Sequence, residues 1–227
     1  MINNTTNTSL SCIEINPKTQ ATASVIWLHG LGADGNDFAP IVPELHLPET
    51  LAVRFIFPNA PEIPVTINNG YVMRAWYDIV SMSIDQRTDE KGVFCSVAAL
   101  TDLIEKEIDR GIPADKIILA GFSQGAVIAL TTGLLYPKRL GGIMGLSGYL
   151  PHADKIFAEA SQANQSVPIF LAHGTQDPVV PFMLGQMACD LLTKHHYQVS
   201  WHRYMMPHSV CGEEIKDISE WIESCLR

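Results

Sequence analysis

A chain of 227 residues, 47% hydrophobic and 17% charged, is long enough for one domain with a substantial core and is neither disordered, fibrous nor repetitive in composition. A formal charge of −9 with no run of Lys or Arg excludes a nucleic-acid partner and favours solubility. The five cysteines (Cys12, Cys95, Cys189, Cys211 and Cys225) are scattered and lack the C-x-x-C pairing of zinc or redox sites, which suits a reducing cytoplasm.

The opening MINNTTNTSLS has neither the basic start nor the apolar core of a signal peptide, and no apolar run reaches the length of a membrane span. The expectation is a cytoplasmic protein with no integral membrane segment. Residues 1–9, rich in Asn and Thr, are expected to be disordered, and residues 10–227 to form a single domain.

Along the chain, short apolar runs alternate with longer amphipathic ones. Val25-Ile26-Trp27-Leu28 ends in His29-Gly30, and Val53-Arg54-Phe55-Ile56-Phe57 is a further strand. Residues 58–92 break the pattern with Pro58, Pro61, Pro64, Asn68, Asn69 and Gly70, and read as an irregular surface excursion near the functional site. Val93, Val97, Leu100, Ile104 and Ile108 recur at helical spacing, with Gly111 and Pro113 as a stop signal. Ile117-Ile118-Leu119-Ala120 leads into Gly121, a helical run covers Ala126 to Leu135, and Gly142 to Leu146 is another strand. Ile169-Phe170-Leu171-Ala172 leads into His173-Gly174. Pro181 is placed as the first residue of a helix carrying Phe182, Gly185, Ala188, Leu191 and Leu192. Val199 to Met205 is strand-like, and Ile215, Ile218, Trp221, Ile222 and Cys225 face inward from a last helix. Runs apolar on both faces suit central parallel strands, so the repetition predicts a doubly wound, mostly parallel α/β sheet with helices on both faces.

Three loops carry the chemistry. Gly121-Phe122-Ser123-Gln124-Gly125 is a G-x-S-x-G motif between a strand and a helix, the setting that exposes a serine at a sharp, strained turn. A serine nucleophile needs a base and an orienting carboxylate, which follow it in the order serine, acid, histidine in this fold class. His208 lies in a loop between a strand and the last helix, whereas His195 and His196 close a helix and His202 alternates in a strand as a solvent-facing position. Asp177 follows the strand end Ala172-His173-Gly174, where α/β sites gather, and reads otherwise as a helix N-cap; Asp154 and Asp190 fall in helices. Leu28-His29-Gly30-Leu31-Gly32 fits a second backbone donor loop, so the N–H groups of Leu31 and Gln124 form the candidate oxyanion hole. His29 and His173 read as braces of their loops.

The set LHGLGADG (28–35), PVTINNG with MRAWYD (64–78), GFSQG (121–125), LSGYLP (146–151), HGTQDPVVP (173–181) and HSV (208–210) resembles the acyl-protein thioesterase and small carboxylesterase family, also called phospholipase/carboxylesterase. The resemblance implies an α/β-hydrolase fold without a separate cap. It implies a triad of Ser123, Asp177 and His208, oxyanion donors at Leu31 and Gln124, and no cofactor or metal. It also implies an acyl channel lined by Ile63, Val65, Met73 and Trp76, with Tyr149 standing where relatives acting on lipidated proteins carry Trp; plain core packing is the competing reading of Trp76, Tyr77 and Tyr149. The implied substrate is a small-molecule or lipid acyl ester or thioester, acylated proteins included. An apolar loop of this kind suits transient contact with a membrane surface or a homodimer interface. Lysophospholipase or general short-chain esterase activity is the alternative with the same triad, and a catalytically silent ligand-binding hydrolase is the reading of another class.

Overall fold

A computed structural model describes residues 10–81 and 88–227; the expected disorder of residues 1–9 lies outside them. Six parallel strands make most of a seven-stranded sheet: β2 (Ala23–Leu28), β3 (Val53–Pro58), β6 (Ile117–Phe122), β7 (Gly142–Leu146), β8 (Pro168–Gly174) and β9 (Gln198–Tyr204). A short first strand, β1 (Cys12–Ile15), pairs antiparallel with β3, giving the order β1-β3-β2-β6-β7-β8-β9. Strands β2 and β6 are buried at every residue, as the apolar runs over 25–28 and 117–120 require, with Ser24 the one polar side chain in the two strands. Alternate residues of each strand feed opposite faces: Ile26 and Leu28 join one core, Val25 and Trp27 the other.

Helices α1 (Glu90–Asp109), α2 (Gln124–Leu135), α3 (Ala153–Glu159), α4 (Phe182–Lys194) and α5 (Gly212–Leu226) cover the two faces. Helix α2 is buried from Gln124 through Leu134, because it lies between the sheet and its neighbours α1 and α3. Helix α4 starts one residue later than the proline spacing suggests, with Pro181 as its N-cap. The order and sense of the strands are those of the α/β-hydrolase fold, and the described residues include no separate cap. No helix among them is long and apolar enough to cross a membrane.

The structure departs from the sequence pattern at the 58–92 stretch and at His202. The 58–92 stretch contains an antiparallel hairpin, β4 (Glu62–Val65) with β5 (Tyr71–Arg74), closed through Asn69 and Gly70 at φ 56 and 74. Its four-residue strands are too short for alternation to stand out. His202 is half-buried rather than solvent-facing, because its ring stacks on Phe170 at 4.4 Å.

Chain order reverses direction in the sheet between β2 and β6: β2 continues to β3 on one side, and β6 continues to β7 on the other. Loops leaving the carboxyl ends of two such neighbouring strands diverge and open a crevice, the preferred ligand position in open α/β sheets. Leu28, at the end of β2, pairs with Gly121 of β6. The His29–Gly32 loop and the turn around Ser123 therefore share one crevice.

Candidate active site

Ser123 sits between β6 and α2 at φ 55 and ψ −117, a positive φ that a non-glycine residue adopts only under strain. The flanking glycines make the turn sterically feasible. A Cβ at Gly121 would run into the Gly125 carbonyl, and one at Gly125 would lie 2.7 Å from the His29 carbonyl oxygen as well as against that of Leu28. The Ser123 N–H is held by the Leu146 carbonyl at 2.9 Å. Among the described residues its hydroxyl has no hydrogen-bond partner, and only 8% of the residue is exposed.

Asp177 and His208 meet across 31 residues of sequence: His208 Nδ1–H donates to Asp177 Oδ2 at 2.6 Å. The aspartate side chain is fully buried and its oxygens are fully engaged. Oδ1 accepts the N–H groups of Val179 and Val180, both at 2.8 Å, while His173 Nε2 stands 3.5 Å from Oδ2. These bonds orient the carboxylate without a helix cap, since α4 begins beyond them. The acid and histidine loops are tied to each other, because Thr175 N–H donates to Tyr204 O at 2.8 Å and Gln176 N–H to Met206 O at 3.1 Å. The His208 ring lies 4.6 Å from that of Phe122, the neighbour of Ser123.

His29 and His173 are buried, and desolvation holds both imidazoles below their ordinary pKa, which keeps them neutral. His173 Nε2–H donates to Val180 O at 2.9 Å, and its Nδ1 has no partner among the described residues. The Leu31 N–H has no acceptor among the described residues. The Gln124 N–H, first in α2, has no carbonyl a turn behind it to bond.

The Gln124 side chain does something its place in the motif did not signal. Its Oε1 accepts the Trp76 N–H at 3.1 Å and its Nε2–H donates to Tyr77 O at 2.9 Å, fastening the segment after β5 to the start of α2. Trp76 is buried, its Nε1–H donates to His29 O at 2.8 Å, and Ser96 of α1 donates to its carbonyl. Val65 is fully buried, Ile63 and Met73 are half-buried opposite each other in the hairpin, and Tyr149 is buried with its hydroxyl 3.2 Å from that of Tyr77. A separate cleft of about 290 Å³, lined in part by Ile15, Val42, Leu47 and Phe55, lies at the opposite end of the strands and includes none of these residues.

Residues 11–226 match the family model described as Phospholipase/Carboxylesterase. The chain belongs to the phospholipase/carboxylesterase family. It is 41% identical over 220 residues to acyl-protein thioesterase 1 of Yarrowia lipolytica, covering 95% of this chain and 97% of that one. It is 45% identical over 183 residues to acyl-protein thioesterase 1 of Schizosaccharomyces pombe, covering 81% of each. Among solved structures it is similar to Arabidopsis thaliana SOBER1, with a TM-score of 0.85 and 35% identity over 90% of this chain and 99% of that one. Zea mays acyl-protein thioesterase 2 is likewise similar, with a TM-score of 0.85 and 30% identity over 96% and 99%. As a phospholipase/carboxylesterase-family chain it is a hydrolase of acyl esters.

Proposed function

We propose that this protein is a serine hydrolase that removes acyl groups from esters and thioesters, acylated proteins among its substrates, with Ser123, His208 and Asp177 as its triad. The 2.6 Å bond between His208 and Asp177 carries the reading, because it stands beside a serine held at positive φ. His208 takes the Ser123 proton while Asp177 orients the imidazole and stabilises its charged form. Ser123 Oγ attacks the acyl carbonyl, and the oxyanion rests on the Leu31 and Gln124 N–H groups. His208 returns the proton to the departing alcohol or thiol, and water releases the acyl group from Ser123 by the same route. Among the described residues Ser123 Oγ and His208 make no hydrogen bond, and the mechanism has that bond form when substrate binds. None of these steps calls on a metal or cofactor.

The β4–β5 hairpin, with Ile63, Val65 and Met73, and the neighbouring Trp76 and Tyr149 are proposed as the acyl-binding wall. The reading extends to a cytoplasmic protein that meets membrane-borne acyl groups transiently, since Tyr71 and Val72 on the same hairpin are 68% and 56% exposed. That apolar tip also offers a homodimer face, and sedimentation with and without lipid vesicles separates the two uses.

The test is hydrolysis of p-nitrophenyl esters from acetate to palmitate, alongside a palmitoylated peptide thioester, by the wild type and Ser123→Ala. Loss of about 10⁴-fold or more in the variant is expected. A chain-length optimum confined to acetate and butyrate would favour a general short-chain esterase. A wild type inert to every ester and to fluorophosphonate labelling would leave a ligand-binding protein.

A further inference from the structure

The two nitrogens of the buried His29 ring have different partners, and those partners determine its tautomer. Nε2 lies 3.1 Å from the Ala60 N–H, which can only donate, so Nε2 is the bare acceptor. The proton is therefore on Nδ1, which lies 2.7 Å from the Gly30 carbonyl oxygen and donates to it. Burial keeps the ring neutral, so it can accept at one nitrogen and donate at the other.

The Gly30 carbonyl belongs to the same planar unit as the Leu31 N–H. In a trans peptide these two groups point in opposite directions, and the structure has no cis peptide here. A donor that holds the carbonyl on one side therefore turns the N–H to the other. The remaining contacts of the loop fit this arrangement. Gly30 lies against the nucleophile, since a Cβ there would be 3.4 Å from Ser123 Cβ. The Leu31 N–H makes no hydrogen bond among the described residues, whereas its neighbours do: Gly32 N–H donates to Arg74 O at 2.8 Å, and Ala33 N–H to Gly30 O at 3.3 Å. The ring is held in turn by the Ala60 N–H, and Trp76 holds the His29 carbonyl at 2.8 Å.

We propose that His29 is the positioning residue of the oxyanion hole: by holding the Gly30 carbonyl it aims the Leu31 N–H at the developing negative charge. The inference rests on the triad and oxyanion reading above. Without the Nδ1–H bond, the Gly30–Leu31 peptide retains only the longer Ala33 contact and is free to rotate, presenting a carbonyl where a donor is needed. Such a loss weakens binding of the tetrahedral oxyanion far more than binding of the planar ester.

Two substitutions separate the jobs of the two nitrogens. His29→Asn places an amide donor near the Nδ1 position and keeps the bond to Gly30 O, while giving up the Ala60 contact. His29→Gln reaches the Nε2 position and keeps the Ala60 contact, while giving up the bond to Gly30 O. For His29→Gln, kcat on a p-nitrophenyl ester is expected to fall by about 10²-fold, as for loss of one oxyanion donor. KM should stay near the wild-type value, and the Ki of an alkyl trifluoromethyl ketone, which forms a tetrahedral adduct, should rise with the loss in kcat. His29→Asn should recover most of the activity.

Wild-type kcat and Ki in His29→Gln, or equal losses of kcat and melting temperature in both variants, would overturn the proposal. A long-range 1H–15N spectrum of the wild type tests it without mutation, because a proton found on Nε2 of His29 would also overturn it. Fluorophosphonate labelling of Ser123 keeps the two readings apart. A labelled, active enzyme with an indifferent His29 sinks this inference alone, and an unlabelled, inactive one sinks both.

Discussion

At the scale of single residues, the site depends on hydrogen bonds that leave few orientations open. Asp177 illustrates this: two backbone N–H groups hold Oδ1, which leaves Oδ2 facing His208 Nδ1 at 2.6 Å. Asp177→Asn keeps the shape but can turn an amide N–H toward His208, favouring the tautomer that cannot accept the serine proton. Its kcat is expected to fall by about 10⁴-fold with a much smaller change in KM, read by steady-state kinetics on an activated ester. A loss of less than tenfold would show that Asp177 is not the orienting acid. The strained turn at Ser123 was legible from five residues, because the strand, the turn and the helix that form it are all local. The braces were legible only in part. His29 and His173 stood out as histidines before glycines, but their tautomers depend on Ala60 and Val180, which the spacing does not reveal.

At the scale of elements, helix α5 carries a group that its apolar pattern conceals. Ile218 and Ile222 are buried as their spacing indicates, but so is Glu214, in the first turn just after the His208 loop. Among the described residues neither carboxyl oxygen makes a hydrogen bond of good geometry, and burial pushes the pKa up to about 8, with the nearby Asp217 adding to the shift and the Cys211 backbone N–H opposing it. The carboxyl is therefore protonated in the folded protein at pH values where it ionises in the unfolded chain. Between the ordinary value of 4.5 and about 8, the unfolded state binds fewer protons, so this group makes stability fall as pH rises. Glu214→Gln removes the titration. Its stability advantage over the wild type should grow by about 1.4 kcal/mol per pH unit across that window. Denaturant melts at pH 5 and pH 8 measure this, and an equal difference at the two pH values would refute it.

At the scale of the whole molecule, a polar network far from Ser123, Asp177 and His208 ties the antiparallel edge to helix α1. Glu107 of α1 has a side chain 1% exposed and meets Arg54 of β3 at 2.8 Å. Arg110 also reaches it at 2.8 Å and continues to Glu14 of β1 at 2.9 Å, while Ser24 of β2 donates to it. Removing one partner of a buried ion pair strands the other charge. Arg54→Ala should destabilise the fold by about 3 kcal/mol, the lower end of such losses because Arg110 remains. Since the network lies toward the other end of the sheet, kcat/KM at 25 °C should be unchanged. A shifted urea midpoint with intact kinetics is the expected outcome, and a parallel loss of activity would mean the sheet transmits the damage.

The amino-acid sequence by itself determined which segments are central strands, because a strand covered on both faces carries a nearly continuous apolar run. It also determined where the strained Ser123 turn lies, because the residues that form that turn are complete within 121–125. Only the tertiary structure decided the rest. Strand order brings the loop after β2 beside the turn after β6, and the loops after β8 and β9 beside each other. The antiparallel placement of β1 and the burial of Glu214 belong to the same class. Each depends on a partner that is distant in sequence, and pairing across that distance is set by packing and sheet register rather than by local residue pattern.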